Sequence, residues 1–341
     1  MSDGLLQNAY HNWMLFTPSF ALPEGPAETL QEAAPKPGFC LVPSRAVLEF
    51  TGADAPAFLQ AQLTADIAKL DARAWRIAGY CSAKGRLLGS GMVWSTGQGI
   101  FWLVASDISA ALAKRLRMYV LRAKVVVSTP DVAIFGVIGE AAIAAVAGVA
   151  EAADVDLLRL SAVLGIERAF AVCRGDGAAL KARLAESGVE ARPSEVWDWL
   201  EVRSGVGFIE AKTQERFVPQ MINLEALGGI DFKKGCFPGQ EVVARSQYLG
   251  KLKRRTLLAH LEGANPPLPG SEVLSLLTQD AVGTVVSAAK APDGSLDCLI
   301  EAPLSAWAEG LVLPEHPQVA LEQLVPPYEI PDNEIFVRPR L

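Results

Sequence analysis

A three-part α+β fold is predicted from three observations on the 341-residue chain. Two successive stretches each read as a β-α-β-β-α-like unit, the pattern of paired α+β subdomains. After position 251, short apolar runs alternate with Gly and Pro turns, as in a small antiparallel β-barrel. Half of the residues are hydrophobic and a fifth are charged, which is enough apolar material for sizeable cores.

Residues 1–37 are rich in Pro, Ala and Glu without lasting periodicity and read as a loosely attached arm. Residues 46–50 read as a strand, and Thr51-Gly52-Ala53-Asp54 as a turn and helix cap. Phe58, Leu59, Leu63 and Ile67 follow at helical spacing. Runs 75–81 and 86–94 flank Ser82-Ala83-Lys84-Gly85 as a hairpin. A strand over 100–104 precedes a helix carrying Ile108, Leu112, Leu116 and Val120, with Ser106 or Asp107 as its cap. Residues 125–127 close the first unit. The second repeats the order: strand 132–138, buried helix 141–150, strands 157–160 and 169–173, helix 178–186. Pro193-Ser194-Glu195 starts a helix through Trp197, Trp199 and Val202 that stops at Gly205. Runs 256–261, 272–277, 283–288 and 297–300 supply the barrel strands.

The net charge of −7 argues against a general nucleic-acid binder, because such a surface repels phosphates on average. No basic-then-apolar leader and no run of about 18 apolar residues occur, so neither a targeting segment nor a membrane span is expected. The five cysteines, Cys40, Cys81, Cys173, Cys236 and Cys298, are dispersed, with no CxxC or Cys/His cluster. That pattern fits neither a disulfide framework nor a zinc site, and matches a reducing cytoplasm. His11, His260 and His316 lack any supporting pattern.

One segment concentrates chemistry: Phe232-Lys233-Lys234-Gly235-Cys236-Phe237-Pro238-Gly239-Gln240-Glu241. Two glycines bracket a thiol, and glycine permits backbone angles and close approaches closed to other residues. Pro238 stiffens the loop, and a helix is expected to begin near Glu241 and run through Arg245. Positive charge and a helix N-terminus both favour a thiolate. The bland reading is a small apolar cysteine in a turn, with lysines facing water.

The segment KKGCFPGQEVVAR, preceded by Phe217-Val218-Pro219-Gln220, Asn223-Leu224 and Gly228-Gly229-Ile230, closely resembles the signature of the YgfZ family. Phe58-Leu59-Gln60, Gln62-Leu63-Thr64-Ala65-Asp66, Ala83-Lys84-Gly85-Arg86 and Tyr119-Val120-Leu121-Arg122 agree in the same order. The resemblance covers roughly 45–260. That family belongs to the folate-binding, GcvT-like superfamily of the glycine-cleavage T-protein, and its mitochondrial relatives serve iron–sulfur protein maturation.

The resemblance implies a cloverleaf of two α+β, ferredoxin-like subdomains plus the small C-terminal antiparallel β-barrel, with tetrahydrofolate or a derivative in a central cleft. The implied organisation is an arm over 1–37, a folate-binding region over 38–250 that carries the cysteine loop, a barrel over 251–327 and an extended tail over 328–341. It implies Cys236 as the functional thiol, set by Lys234, Gly235, Gly239, Gln240, Glu241 and Arg245. Trp199 matches an aromatic position associated with folate, although its spacing also suits a core tryptophan on an amphipathic helix. A second folate-associated tryptophan of the family falls at Arg45, which can stack on a ring or pair with glutamyl carboxylates.

Where aminomethyltransferases of the superfamily carry a catalytic aspartate, this chain has Leu87-Leu88-Gly89-Ser90-Gly91. That absence argues against T-protein chemistry and against conventional enzyme activity. Lys233, Lys234, Arg245, Lys251, Lys253, Arg254 and Arg255 form a basic run that reads first as a solvated face, second as a docking patch for an acidic partner or a polyglutamate tail, and third as a direct tRNA site. The expected function is that of a folate-binding accessory factor for iron–sulfur cluster assembly or repair in client proteins, touching tRNA modification indirectly. No metal site, direct nucleic-acid contact or membrane contact is expected. Two alternatives are a folate-dependent one-carbon transferase and a structural or RNA-binding protein.

Overall fold

A computed structural model describes residues 35–71, 74–150, 154–248 and 252–331. The expected arm lies almost wholly outside the described residues, as do His11, Lys251 and positions 332–341 of the expected tail.

The chain opens with β1 (Gly38–Leu41) and continues as β2 (Arg45–Thr51), α1 (Ala55–Gln62), β3 (Trp75–Cys81), β4 (Leu87–Thr96), β5 (Gly99–Ala105), α2 (Ser106–Val120) and β6 (Val126–Ser128). Strands β2 to β6 form one antiparallel sheet in the order β3-β4-β5-β2-β6. Strands β4 and β5 are buried on both faces, which is why they read as continuous apolar runs rather than alternating ones. Trp94 and Phe101 stack across them at 5.4 Å. Helix α2 turns Ile108, Leu112 and Leu116 inward at the spacing the sequence shows.

The second unit runs β7 (Val132–Ile138), α3 (Glu140–Val149), β8 (Val155–Val163), β9 (Ile166–Arg174) and α4 (Ala178–Glu186). Its sheet has the order β1-β7-β9-β8, so β1 crosses over to pair with β7 before the first unit begins. Helix α5 (Ser194–Arg203) packs against β1 and β7, and also against two strands of the C-terminal sheet.

After α6 (Gln240–Tyr248) come β10 (Arg254–Leu261), β11 (Glu272–Ser275), β12 (Ala281–Lys290), β13 (Leu296–Pro303), α7 (Leu304–Glu309), β14 (Leu311–Val312) and β15 (Glu322–Leu324). They form a curled six-stranded antiparallel half-barrel ordered β14-β11-β12-β13-β10-β15. Register shifts at Val273/Leu274 and Val285/Ser287 supply bends of the kind that curl a sheet. The described end of the chain is anchored: the buried Tyr328 hydroxyl donates to the Gly205 carbonyl at 2.8 Å and accepts from Asn223 Nδ2 at 3.1 Å.

Three local expectations are corrected. Asp54 stands at the N-cap of α1 as expected, but its side chain does not bond the helix; its Oδ2 accepts the Lys124 backbone N–H at 2.7 Å, tying the α1 start to the turn after α2. Helix α2 has no side-chain cap, because Asp107 Oδ2 accepts from the Ala211 N–H at 2.9 Å instead. Helix α3 is not buried all round: Ala142, Ile143 and Val146 face the core, while its other side is open.

Candidate functional site

The cysteine loop is built around one alternation. Phe237 is buried and Cys236 is exposed. Helix α6 begins at Gln240, whose N–H bonds the Phe237 carbonyl at 3.2 Å. The far end of α6 returns to the loop's start, where Tyr248 meets Phe232 edge-on at 5.7 Å.

The two bracketing glycines differ. Gly239 has φ +75°, and a Cβ there would lie 2.5 Å from both Gly85 Cα and the Ser82 carbonyl oxygen. Gly85 in turn has φ +71° and faces Val242. The hairpin turn between β3 and β4 and the start of α6 therefore touch backbone to backbone, which joins the Ala83-Lys84-Gly85-Arg86 and Gly239-Gln240-Glu241 motifs. Nothing lies within 4 Å of a Cβ built at Gly235.

Lys234 is not a counter-ion for the thiol. Its Nζ donates to the carbonyls of Gln60 (2.5 Å), Leu63 (2.5 Å) and Ala65 (2.9 Å), closing the C-terminal end of α1. Burial pulls its ammonium down to about 8, while Asp66 and Asp231 oppose that shift. Gln60 bonds Asp66 and the backbone of Ile67, and Lys69 bridges Asp66 and Asp231 at 2.9 Å each. The Gln60 to Asp66 motif is thus the seat of the cysteine loop.

The basic run does not form one face. Arg254 pairs with Glu301, and buried Arg255 pairs with Glu225 while also reaching the Gln220 carbonyl. Arg245 is exposed and paired with Glu241 one turn away at 2.9 Å. Lys233 and Lys253 are exposed. Sequence spacing grouped these cations, but their side chains leave in different directions.

Trp199 and Arg45 lie elsewhere. Trp199 is 3% exposed, and its indole N–H donates to Asp297 Oδ2 at 2.7 Å. Asp297 of β13 also meets His260 at 2.8 Å and Arg203 at 3.5 Å, so Trp199 ties α5 to the half-barrel. Arg45 is buried; it pairs with Glu201 at 2.8 Å and lies 4.2 Å from the Phe208 ring centre. Phe208 lines a narrow apolar crevice together with Ile77, Gly91, Met92, Val206 and Gly207. Burial pushes the Asp198 carboxyl up to about 6, helped by Glu201, and raises Glu210 as well; Arg45 opposes both shifts.

Asp198, Glu201, Phe208 and Glu210 were not singled out from sequence. The signal was available: Asp198 and Glu201 are acids three residues apart within an apolar, aromatic helix, where ionisable groups need a partner.

Within the 87–91 stretch, Ser90 and Gly91 leave no room for a carboxylate. Ser90 is buried, donating to the Gly207 carbonyl at 3.1 Å and accepting the Ile209 N–H at 2.9 Å. A Cβ at Gly91 would fall 1.8 Å from the Leu103 carbonyl oxygen, and one at Gly89 would fall 2.8 Å from Leu112.

Burial raises four thiols, taking Cys40, Cys81 and Cys173 to about 12 and Cys298 higher. No metal-binding group of His, Cys, Asp and Glu occurs among the described residues. No helix among them is long and apolar enough to cross a membrane.

No protein-family model matches the chain. The tRNA-modifying protein YgfZ of Serratia proteamaculans is 31% identical over 265 residues, covering 74% of this chain and 80% of the relative. That of Sodalis glossinidius is 31% identical over 266 residues, with the same 74% and 80% coverage. That of Escherichia coli is 29% identical over 263 residues, with 74% and 81% coverage. Among solved structures, the glycine cleavage system aminomethyltransferase T from Bartonella henselae superposes with a TM-score of 0.63 over 84% of each chain, at 17% identity. That likeness is one of fold, a GcvT-like arrangement of mixed sheets and helices.

Proposed function

Because the chain belongs to the YgfZ family, we propose that it is a tetrahydrofolate-binding accessory factor for iron–sulfur cluster assembly or repair in client enzymes, tRNA-modifying enzymes among them, with Cys236 as its reactive thiol. The relatives are named as tRNA-modifying proteins, which suits clients of that class. The observation that carries the reading is that, of five cysteines, Cys236 alone is exposed, on a loop seated by the Lys234 clamp and the Gly239–Gly85 contact. A solitary thiol suits a transient role, since stable clusters generally take four ligands.

The space beside Phe208 is the proposed folate site. The crevice itself is apolar, and the acids linked to it through Arg45, which lies over Phe208, suit a pterin, whose amino and ring N–H donors call for carboxylate acceptors. Neither Asp198 nor Glu210 has a hydrogen-bond partner for its carboxylate among the described residues, and both meet Arg45 electrostatically. Bound there, tetrahydrofolate would supply the reduced pterin. Arg45 holds Phe208 and Glu201 in place, and Trp199 acts from behind by fixing α5, which carries Asp198 and Glu201. The crowding at Gly89 and Gly91 disfavours the one-carbon transferase reading.

The test is anaerobic calorimetric titration with tetrahydrofolate, beside Glu210→Gln and Asp198→Asn. Micromolar affinity, about 8 kcal/mol, is expected of the native protein and should weaken in both variants. No native binding rejects the folate half of the reading. Full rescue of client activity by Cys236→Ser, in cells lacking the protein, rejects the thiol half.

A further inference from the structure

Between Asp107 and Asp131 the chain carries Lys114, Arg115, Arg117, Arg122 and Lys124 and no acidic residue, although its net charge is −7. Cations in the last turn of a helix ordinarily complement its dipole. These run past the end of α2, and none of the five forms an ion pair with a described residue. The apolar side chains among them face outward as well: Met118 is 60% exposed, Tyr119 46%, Leu121 88% and Val126 62%. Leu121 also has φ 46° with ψ −105°, a positive-φ conformation outside the αL well and uncommon for leucine.

This face is joined to the cysteine loop by direct contacts. Arg115 acts electrostatically on Tyr80, the Tyr80 backbone bridges to Leu63, and the Leu63 carbonyl accepts from Lys234. Lys84 and Lys233 beside that loop are exposed and form no ion pair with a described residue, which extends the positive field toward Cys236.

We propose that residues 114–126 are the docking surface for an acidic protein partner, the client whose repair the thiol serves. An apolar knob of the partner covers Met118 and Leu121, and its carboxylates meet Lys114, Arg122 and Lys124. An RNA would use the cations and could stack a base on Tyr119, but would leave exposed Met118, Leu121 and Val126 uncovered. An apolar centre ringed by charge is the anatomy of a protein interface. The proposal rests on the reading of Cys236 above.

The test uses the full chain and, as probe, a purified iron–sulfur tRNA-modifying enzyme whose activity falls in cells lacking this protein. The variant combines Leu121→Asp with Arg122→Glu; both side chains are exposed, so neither change removes packing and folding is retained. Melting temperature and tetrahydrofolate affinity serve as controls. The expected result is roughly tenfold or greater loss of probe affinity with both controls unchanged. Native affinity should also weaken as salt rises from about 50 to 300 mM. If the double variant melts early, Met118→Gln with Lys124→Glu takes its place under the same criterion. Unchanged affinity in the variant, or no probe binding by the native chain, overturns the proposal and leaves the folate titration untouched. Three other outcomes overturn it in favour of a different occupant: a salt-dependent shift with a tRNA transcript that the variant abolishes, a doubling of mass that the variant abolishes, or probe affinity that appears only when residues 1–34 are removed.

Discussion

Adding one methyl group on either side of Cys236 separates two roles that a loop glycine can have. In Gly239→Ala the new Cβ meets Gly85 Cα and the Ser82 oxygen at 2.5 Å, and Gly85 N at 2.6 Å. Those atoms cannot swing aside, because the turn is closed by Gly85 N–H to Ser82 O at 2.9 Å and Ser82 N–H to Arg86 O at 2.8 Å. The left-handed φ of +75° costs about 1–2 kcal/mol for alanine. Forcing the packed backbones apart adds about 1–3 kcal/mol. In Gly235→Ala the methyl enters open space, and the change should stay within about 0.5 kcal/mol. Urea unfolding gives the global loss, and hydrogen exchange over 82–86 and 237–243 shows whether the strain is relieved locally. The rate at which a thiol probe labels Cys236 reports on the loop itself. Gly239→Ala should lower stability by about 2–5 kcal/mol or unprotect both segments, with altered labelling. Equal behaviour of the two variants would refute the claim that the loop is positioned by its contact with the hairpin turn.

Lys234→Met leaves the carbonyls of Gln60, Leu63 and Ala65 without their shared donor and should cost about 2–4 kcal/mol in urea unfolding. Its depressed pKa has a second consequence. Between about 8 and the ordinary 10.5 the unfolded lysine holds a proton the folded one has released, so native stability rises with pH across that window, and the variant should lose the rise. Asp198 has the opposite sign: its carboxyl, raised from 3.8 to about 6, holds a proton in the folded state that the unfolded chain has lost, so stability falls as pH climbs through that range. Asp198→Asn should flatten that fall and be the more stable form at pH near 7, read from urea midpoints at successive pH values. Trp199→Phe removes a buried donor to Asp297 and should cost about 1–3 kcal/mol, with exchange rising along α5 and β13.

The element order was legible because periodicity is a backbone property. Strands β3 and β7 and helix α4 fall where apolar spacing and turn residues place them. What periodicity could not show was strand exchange. Nothing in Gly38–Leu41 says that it pairs with β7 rather than with its neighbour in sequence, since any short apolar strand offers the same backbone hydrogen bonds. Strand β14 and helix α7 are too short, at two and six residues, to show a period at all.

The site divides along a different line. Gly85 and Gly239 could be singled out individually because glycine is a backbone demand, and the chain reveals such demands as sequence. Long side chains do not reveal their destinations. Lys234, Arg254 and Arg255 stand within one basic run, yet Lys234 closes α1, Arg254 crosses to Glu301 of β13, and Arg255 turns inward to Glu225. A lysine or arginine head lies several bonds from its own Cα, so charge density along a sequence predicts charge density in space only where no acceptor is within that reach. Lys114, Arg122 and Lys124 meet that condition and remain exposed, whereas Arg117 bends to the Val127 carbonyl and Arg254 and Arg255 find carboxylates. For this fold, a stretch of cations without ion-pair partners is therefore a better guide to a surface than the number of cations in it, and the same logic picks out Asp198 and Glu210, carboxylates near Arg45 that accept no hydrogen bond from the described residues.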